Sequence, residues 1–390
     1  MTPPSPPAFQ HHPSTARAYR CVCGAQVFFR NTACLPCGRA LGFDPWRGQV
    51  LAIEPDAAAP GWWRPAGADA KAGGARPRRY RRCAQLDSPA ACNWLLDDEA
   101  APGACVACRL NRTIPDLGRA EHHEPWRKVE MARRRLVSQL IGLGLPVQPR
   151  SADGGNGGLA FDTLVALPGQ APVVTGHAQG VITLDLREAD DAHRERVRTE
   201  MHEPYRTLLG HYRHEVGHYY WDRLVRDDAC RAEFRALFGD ERADYRAALE
   251  RHYREGPAAD WRARHISGYA CAHPWEDWAE TWAHYLHMRD ALDTAVSFGL
   301  APEQVAVDAP QYARAVLPVA EGGADGEGER GDALGFIAML NAWTRLTGVL
   351  NELSRSMGLP DFYPFVLSDA VARKLFFVHE RVRPCERSGA

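Results

Sequence analysis

The sequence predicts an α+β protein: small strands bearing cysteine pairs at metal-binding spacing, followed by a mainly helical part with a small sheet. Three observations predict it. Eight of the eleven cysteines fall before residue 110, in two sets of four. The segment 204–225 repeats apolar residues at helical spacing around His214-Glu215-Val216-Gly217-His218. From residue 290 onward the pattern is helical, apart from the acidic, glycine-rich stretch 322–331, which reads as a mobile surface loop.

Taken in order, residues 1–18 are Pro-rich and without periodicity, and read as a disordered tail. Residues 19–118 read as small strands and zinc knuckles. Cys21-Val-Cys23-Gly and Cys34-Leu-Pro-Cys37-Gly are two knuckles whose four thiolates suit tetrahedral zinc, with 26–30 as a strand of a ribbon. Cys83, Cys92, Cys105 and Cys108 form the second set. Its Cys105-Val-Ala-Cys108 knuckle is clear, while the step from Cys83 to Cys92 is less regular. A second structural zinc is expected there, the alternatives being buried thiols or a redox pair. Cys230, Cys271 and Cys385 are scattered and read as small buried hydrophobes. Between the two sets, 56–74 is a Gly/Ala/Pro-rich connection, and the arginine run 76–82 is either a phosphate grip or a solvated or interdomain charge run.

Residues 119–390 form the larger part. Pro125 opens a helix through Trp126, Val129, Leu136, Val137 and Leu140 that ends near Gly142. The glycines 154–158 mark a turn, and 159–167 and 177–186 are short strands, the second alternating Ile182, Leu184 and Leu186 with Val181, Thr183 and Asp185. Pro204 suits the first turn of the next helix. On it Leu208, Leu209, Tyr212, Val216, Tyr220 and Leu224 make a buried stripe. Residues four apart share a helix face, so His214 and His218 can address one ion, with Glu215 beside them to take a proton from bound water. A catalytic zinc needs a third protein ligand. The best donor lies in 273–287, where Glu276 and Glu280 are four apart on a second helix and Ala279, Thr281 and Ala283 allow close packing. Glu276 is placed on the metal. Glu280 is placed behind it, hydrogen-bonding a histidine ligand, or else is a solvated helix charge. His284 and His287 are rival ligands, but the tryptophans around them favour packing. Phe336, Leu340, Trp343, Leu346, Leu350 and Leu353 are a helical core stripe.

Glu276-Asp-Trp-Ala-Glu280 after His214-Glu-Val-Gly-His218 resembles the gluzincin metallopeptidases, and the small anthrax-lethal-factor-like members in particular. In those a tyrosine lies seven residues before the glutamate ligand, and Tyr269 stands at that spacing from Glu276. The resemblance implies Tyr269 as donor to the oxyanion; without it, Tyr269 is an ordinary buried aromatic. More widely, 210–222 and 274–287, with 108–116 and 357–365, resemble a bacterial family of putative zinc-binding metallopeptidases with an N-terminal zinc ribbon. That resemblance implies a zincin-like domain over 119–390, a sheet strand bordering the cleft that pairs with an extended substrate, and bacterial origin.

The net charge of −2 gives no pull towards nucleic acid or anionic membrane. Reduced zinc thiolates and the absence of a charged-then-apolar start point to the cytoplasm, and no run of eighteen apolar residues marks a membrane span. No phosphate-binding glycine loop, nucleotide signature or internal repeat is found. The expected function is hydrolysis of peptide bonds in a peptide or protein substrate. It uses three zinc ions, one catalytic at His214, His218 and Glu276, with Glu215 as base. The alternative is a catalytically inactive zinc-ribbon scaffold that binds protein or nucleic acid, and a third reading has the ribbon recruit a nucleic-acid-bound protein for cleavage.

Overall fold

The computed structural model describes residues 14–67, 78–97, 102–151, 157–166, 169, 171–200, 206–305, 312–317 and 326–388. They fall into two compact bodies, one of residues 14–199 and 206–215, the other of residues 216–387. Cysteine-bearing small sheets come first and a mostly helical part follows, as the sequence predicts.

In the first body, β1 (Tyr19–Arg20) pairs antiparallel with β2 (Gln26–Val27) around the Cys21–Cys23 turn. β3 (Ala40–Asp44), β4 (Gln49–Pro55) and β5 (Trp63–Pro65) form an antiparallel sheet. β6 (Arg81–Arg82) pairs with β7 (Leu95–Leu96). Leu51, Ile53, Tyr80 and Leu95 bring these two sheets into one core. Gly42 leaves room for Leu95 there: an added Cβ would run into the Leu95 side chain and force it to shift. The arginine run is used locally where it is described: Arg79 pairs with Asp56, and Arg81 lies 4.0 Å over the Trp62 ring. Residues 76 and 77 lie outside the described residues.

β8 (Asn111–Thr113), β9 (Ala160–Leu164), β10 (Gly176–Ala178) and β11 (Val181–Asp185) make a mixed sheet in the order β10-β11-β9-β8. The stretch expected as one strand over 177–186 is a hairpin. It folds back at Gln179 and Gly180, both at positive φ, and a Cβ on Gly180 would lie 2.5 Å from the Gly158 carbonyl oxygen. α1 (His123–Gly142) opens two residues before Pro125 and buries Trp126, Val129, Leu136, Val137 and Leu140 as expected. α2 (Asp191–Glu200) follows. The tail predicted over 1–18 needs correcting at its end. Residues 1–13 lie outside the described residues, but Thr15 and Arg17 are buried, and Arg17 Nη1 donates to Ser138 Oγ of α1 at 3.0 Å. That anchor is a long-range contact, invisible to local composition.

α3 (Leu208–Leu224) starts in the first body and continues into the second; Pro204 lies outside the described residues. The second body adds α4 (Asp228–Phe238), α5 (Tyr245–Glu255), α6 (Trp261–Arg264), α7 (Pro274–Ser297), α8 (Gly326–Ser356) and α9 (Asp369–Ser388). Phe234 and Phe238 stack at 4.7 Å, and Trp278 and Phe377 meet both rings edge-on or tilted. Gly217 lets α7 approach α3 closely: a Cβ there would lie 3.1 Å from Ala279 Cα and from the Trp282 ring. The Gly217 carbonyl oxygen accepts the Trp278 indole N–H at 2.8 Å.

α8 begins at Gly326, inside the stretch expected to be a loop; residues 322–325 lie outside the described residues. The packed stripe beginning at Ala333 supplies the nucleus, and extending a helix backward from it costs little. Phe336, Leu340, Trp343 and Leu346 are buried, whereas Leu353 is exposed. The 25 residues Asp332–Ser356 are long and apolar enough to cross a membrane by length and composition, and half of the most apolar window is buried. The core stripe accounts for that apolarity.

Candidate metal centres

Each cysteine set of the sequence is assembled in space. Cys21, Cys23, Cys34 and Cys37 form one cluster, and Cys83, Cys92, Cys105 and Cys108 the other. Sulfur separations of 3.7 Å (Cys21–Cys37, Cys23–Cys34 and Cys92–Cys105) test the fit. Four sulfurs at ~2.3 Å from a tetrahedral zinc stand about 3.8 Å apart, so both clusters have the dimension of a closed zinc site. The Arg39 backbone N–H, joined by its side chain, draws the Cys37 thiol down to about 6. Of the remaining cysteines, Cys230 is buried, while Cys271 is only partly covered and its thiol donates to the Gly268 carbonyl oxygen at 2.8 Å.

The second set is tied to α1. Glu130 and Arg133 are fully buried and paired at 2.7 Å, and Arg133 Nη1 donates to the carbonyl oxygen of Ala107 within the Cys105–Cys108 knuckle. Arg134 Nη2 donates to the Ala90 carbonyl oxygen at 2.8 Å. The polar residues on the buried face of α1 thus serve as clamps on the cysteine-rich part.

His214, His218 and Glu276 also come together, with one ligand atom from each within 4.8 Å of the others. His218 Nε2 and Glu276 Oε1 stand 3.6 Å apart. Nitrogen and oxygen donors at ~2.1 Å from a tetrahedral ion stand about 3.4 Å apart, so this donor set fits zinc as well. His273 builds the α7 end of the arrangement. Its Nδ1 accepts the Trp275 N–H at 3.1 Å, capping the helix, and Pro274 occupies the first turn. Glu276 is then the third residue of the helix and is buried.

Glu215 is buried, and His211 Nε2 lies 3.5 Å from its Oε1. His211 in turn faces Glu188 Oε2 at 3.7 Å, and Arg206 Nη2 donates to Glu188 Oε1 at 2.7 Å. Burial pushes Glu188 up, but His211 and Arg206 outweigh it and bring it down to about 2. Tyr269 opens a short 3-10 turn, Tyr269–Cys271. Burial, followed by the Glu276 charge, pushes its phenol well above the ordinary value, so it remains a proton donor. Glu280 Oε2 accepts from Ser267 Oγ at 2.6 Å, and the same Oγ accepts the Ala270 N–H at 3.1 Å. Glu280 therefore pins the turn that carries Tyr269.

The rival ligand His284 is packed elsewhere. Its Nδ1 is 2.7 Å from Tyr363 Oη, and its ring lies 4.4 Å from Phe365 and 5.8 Å from His287. Sequence reasoning missed Tyr245, whose hydroxyl donates to Glu276 Oε1 at 2.7 Å, because only tertiary packing brings residues 245 and 276 together. It also missed His211, although a four-residue step to Glu215 on one helix was a readable signal.

Residues 122–381 match the family described as putative zinc-binding metallo-peptidase, and residues 18–119 match a zinc-ribbon domain. Uncharacterized proteins of Mycobacterium tuberculosis and Mycobacterium bovis are 42% identical over 365 residues, covering 93% of this chain and 94% of theirs. No solved structure matches. Two four-cysteine clusters in the ribbon, and a match that spans the helical part from α1 into α9, identify this chain as a member of the putative zinc-binding metallopeptidase family with an N-terminal zinc-ribbon domain.

Proposed function

We propose that the chain is a zinc-dependent peptidase of the gluzincin type, acting on peptide or protein substrates in the cytoplasm. The observation that carries this reading is the convergence of His214, His218 and Glu276 beside a buried Glu215. Two imidazoles and a carboxylate would hold one zinc and leave a fourth position open, whereas the two four-cysteine sets would hold structural ions. Bound there, zinc supplies acidification of a water molecule and polarisation of the scissile carbonyl. Glu215 takes the proton of the attacking water and passes it to the leaving amine. Tyr269, whose phenol burial pushes above its ordinary value, donates to the developing oxyanion. Ser267 and Glu280 hold the Tyr269 turn in place.

Glu215→Gln tests the reading, because it removes the base and keeps size and helix preference. Zinc should stay while peptide cleavage falls by about 10²–10⁴-fold. Tyr269→Phe should keep zinc and slow turnover by up to about 10²–10³-fold. A wild-type protein that cleaves nothing in a broad peptide library, with a cellular role indifferent to Glu215→Gln, would leave the binding scaffold as the better account.

A further inference from the structure

We propose that Tyr245 is a positioning residue for the metal centre: its hydroxyl orients the Glu276 carboxylate as the third ligand. The inference rests on the reading that His214, His218 and Glu276 hold one zinc.

Two helix starts aim this hydroxyl. Asp244 caps α5, its Oδ1 accepting the Ala247 N–H at 3.0 Å, which makes Tyr245 the first residue of that helix. His273 caps α7 through Nδ1 as acceptor, so its proton sits on Nε2, which donates to the Ala243 carbonyl oxygen at 3.1 Å. One imidazole therefore ties the start of α7 to the residue before the α5 cap. The Tyr245 ring packs edge-on against that imidazole at 5.1 Å and lies 6.0 Å from Trp275. From there its Oη reaches Glu276 Oε1 at 2.7 Å.

The same Oε1 faces His218 Nε2 at 3.6 Å. An ionised carboxylate oxygen has two lone pairs. Oε1 can accept from Tyr245 on one and address the ion with the other, which disfavours rotation of the carboxylate and bidentate capture of the metal. Partners of this kind behind a ligand typically change metal affinity by about 10–100-fold. Tyr245 is 37% exposed, so loss of its hydroxyl leaves the core intact.

The test is Tyr245→Phe in the full chain, which keeps the ring against His273 and removes only the donor. Zinc competition with a chromophoric chelator should show about tenfold weaker binding at the chelator-accessible site. The cobalt-substituted variant should show a changed ligand-field spectrum, while the melting temperature of the catalytic-site-stripped protein stays that of wild type. Unchanged zinc affinity together with an unchanged cobalt spectrum overturns the proposal. His214→Ala, run in parallel, separates the two levels. If it loses one ion and Tyr245→Phe behaves as wild type, only the tyrosine's role fails; if it loses none, the assignment of the trio falls and this proposal with it.

Discussion

Arg213, the residue before His214, donates two buried hydrogen bonds to Gln139 of α1: its Nε and Nη2 lie 3.2 and 2.8 Å from Gln139 Oε1. Six residues earlier on the same helix, Arg133 holds the Ala107 carbonyl oxygen of the second cysteine knuckle. α1 therefore links the Cys105–Cys108 knuckle to the helix that bears the histidine pair. Gln139→Leu would leave a buried guanidinium short of an acceptor, and should cost about 1–3 kcal/mol in urea denaturation. A variant as stable as wild type would show that this link carries no weight.

Gly217 sets the approach of α7 to α3. With Ala279 Cα and the Trp282 ring both 3.1 Å from an added Cβ, Gly217→Ala requires these neighbours to give by a few tenths of an ångström, and this strain should exceed the about 1 kcal/mol that Ala gains over Gly inside a helix. It should also loosen zinc held by His218 and Glu276, since the strain acts on the spacing between their helices. Thermal unfolding and chelator competition should both report it; normal values for both would mean that the helices part without penalty.

Metal content separates the three sites. We expect three zinc ions per chain after zinc-replete expression, with His214→Ala losing one only. A mild chelator should remove the ion of the open histidine site first, because closed thiolate sites exchange slowly. Elemental analysis returning two or fewer ions in the wild type would count against this arrangement. Stripping all zinc should unfold the cysteine-rich part, because the eight thiolates that tie its turns together lose their common ions.

Glu188 makes stability depend on acid pH. Its carboxyl lies at about 2 in the folded chain against an ordinary 4.5, so its contribution is complete above the unfolded value and is lost as pH falls through the folded one. Wild type should exceed Glu188→Gln in denaturation midpoint near neutrality, and the gap should close between about pH 5 and about pH 2. A gap constant across that range would mean that His211 and Arg206 do not hold the carboxylate ionised.

What the sequence by itself determined is whatever local geometry dictates. A four-residue step puts His214 and His218 on one face of any helix, and Cys-x-Cys and Cys-x-x-Cys turns bring pairs of thiols together whatever surrounds them. The pairing of cysteine knuckles was legible because residue type and spacing leave few alternatives, and the same spacing argument singled out Glu276 as a candidate donor beside the histidine pair. Tertiary structure decided the rest, through contacts whose partners are far apart in the chain. Tyr245 reaches Glu276 across 31 residues and Ser267 reaches Glu280 across 13. Gly217 reads as an ordinary glycine until Ala279 lies against it. Arg17 is buried and donates to Ser138, 121 residues away, and nothing in the residues around it signals an anchor. The physical reason is the same in each case. Local pattern reports the period of an element, whereas the burial and pairing of a polar side chain depend on which distant surface the folded chain places against it.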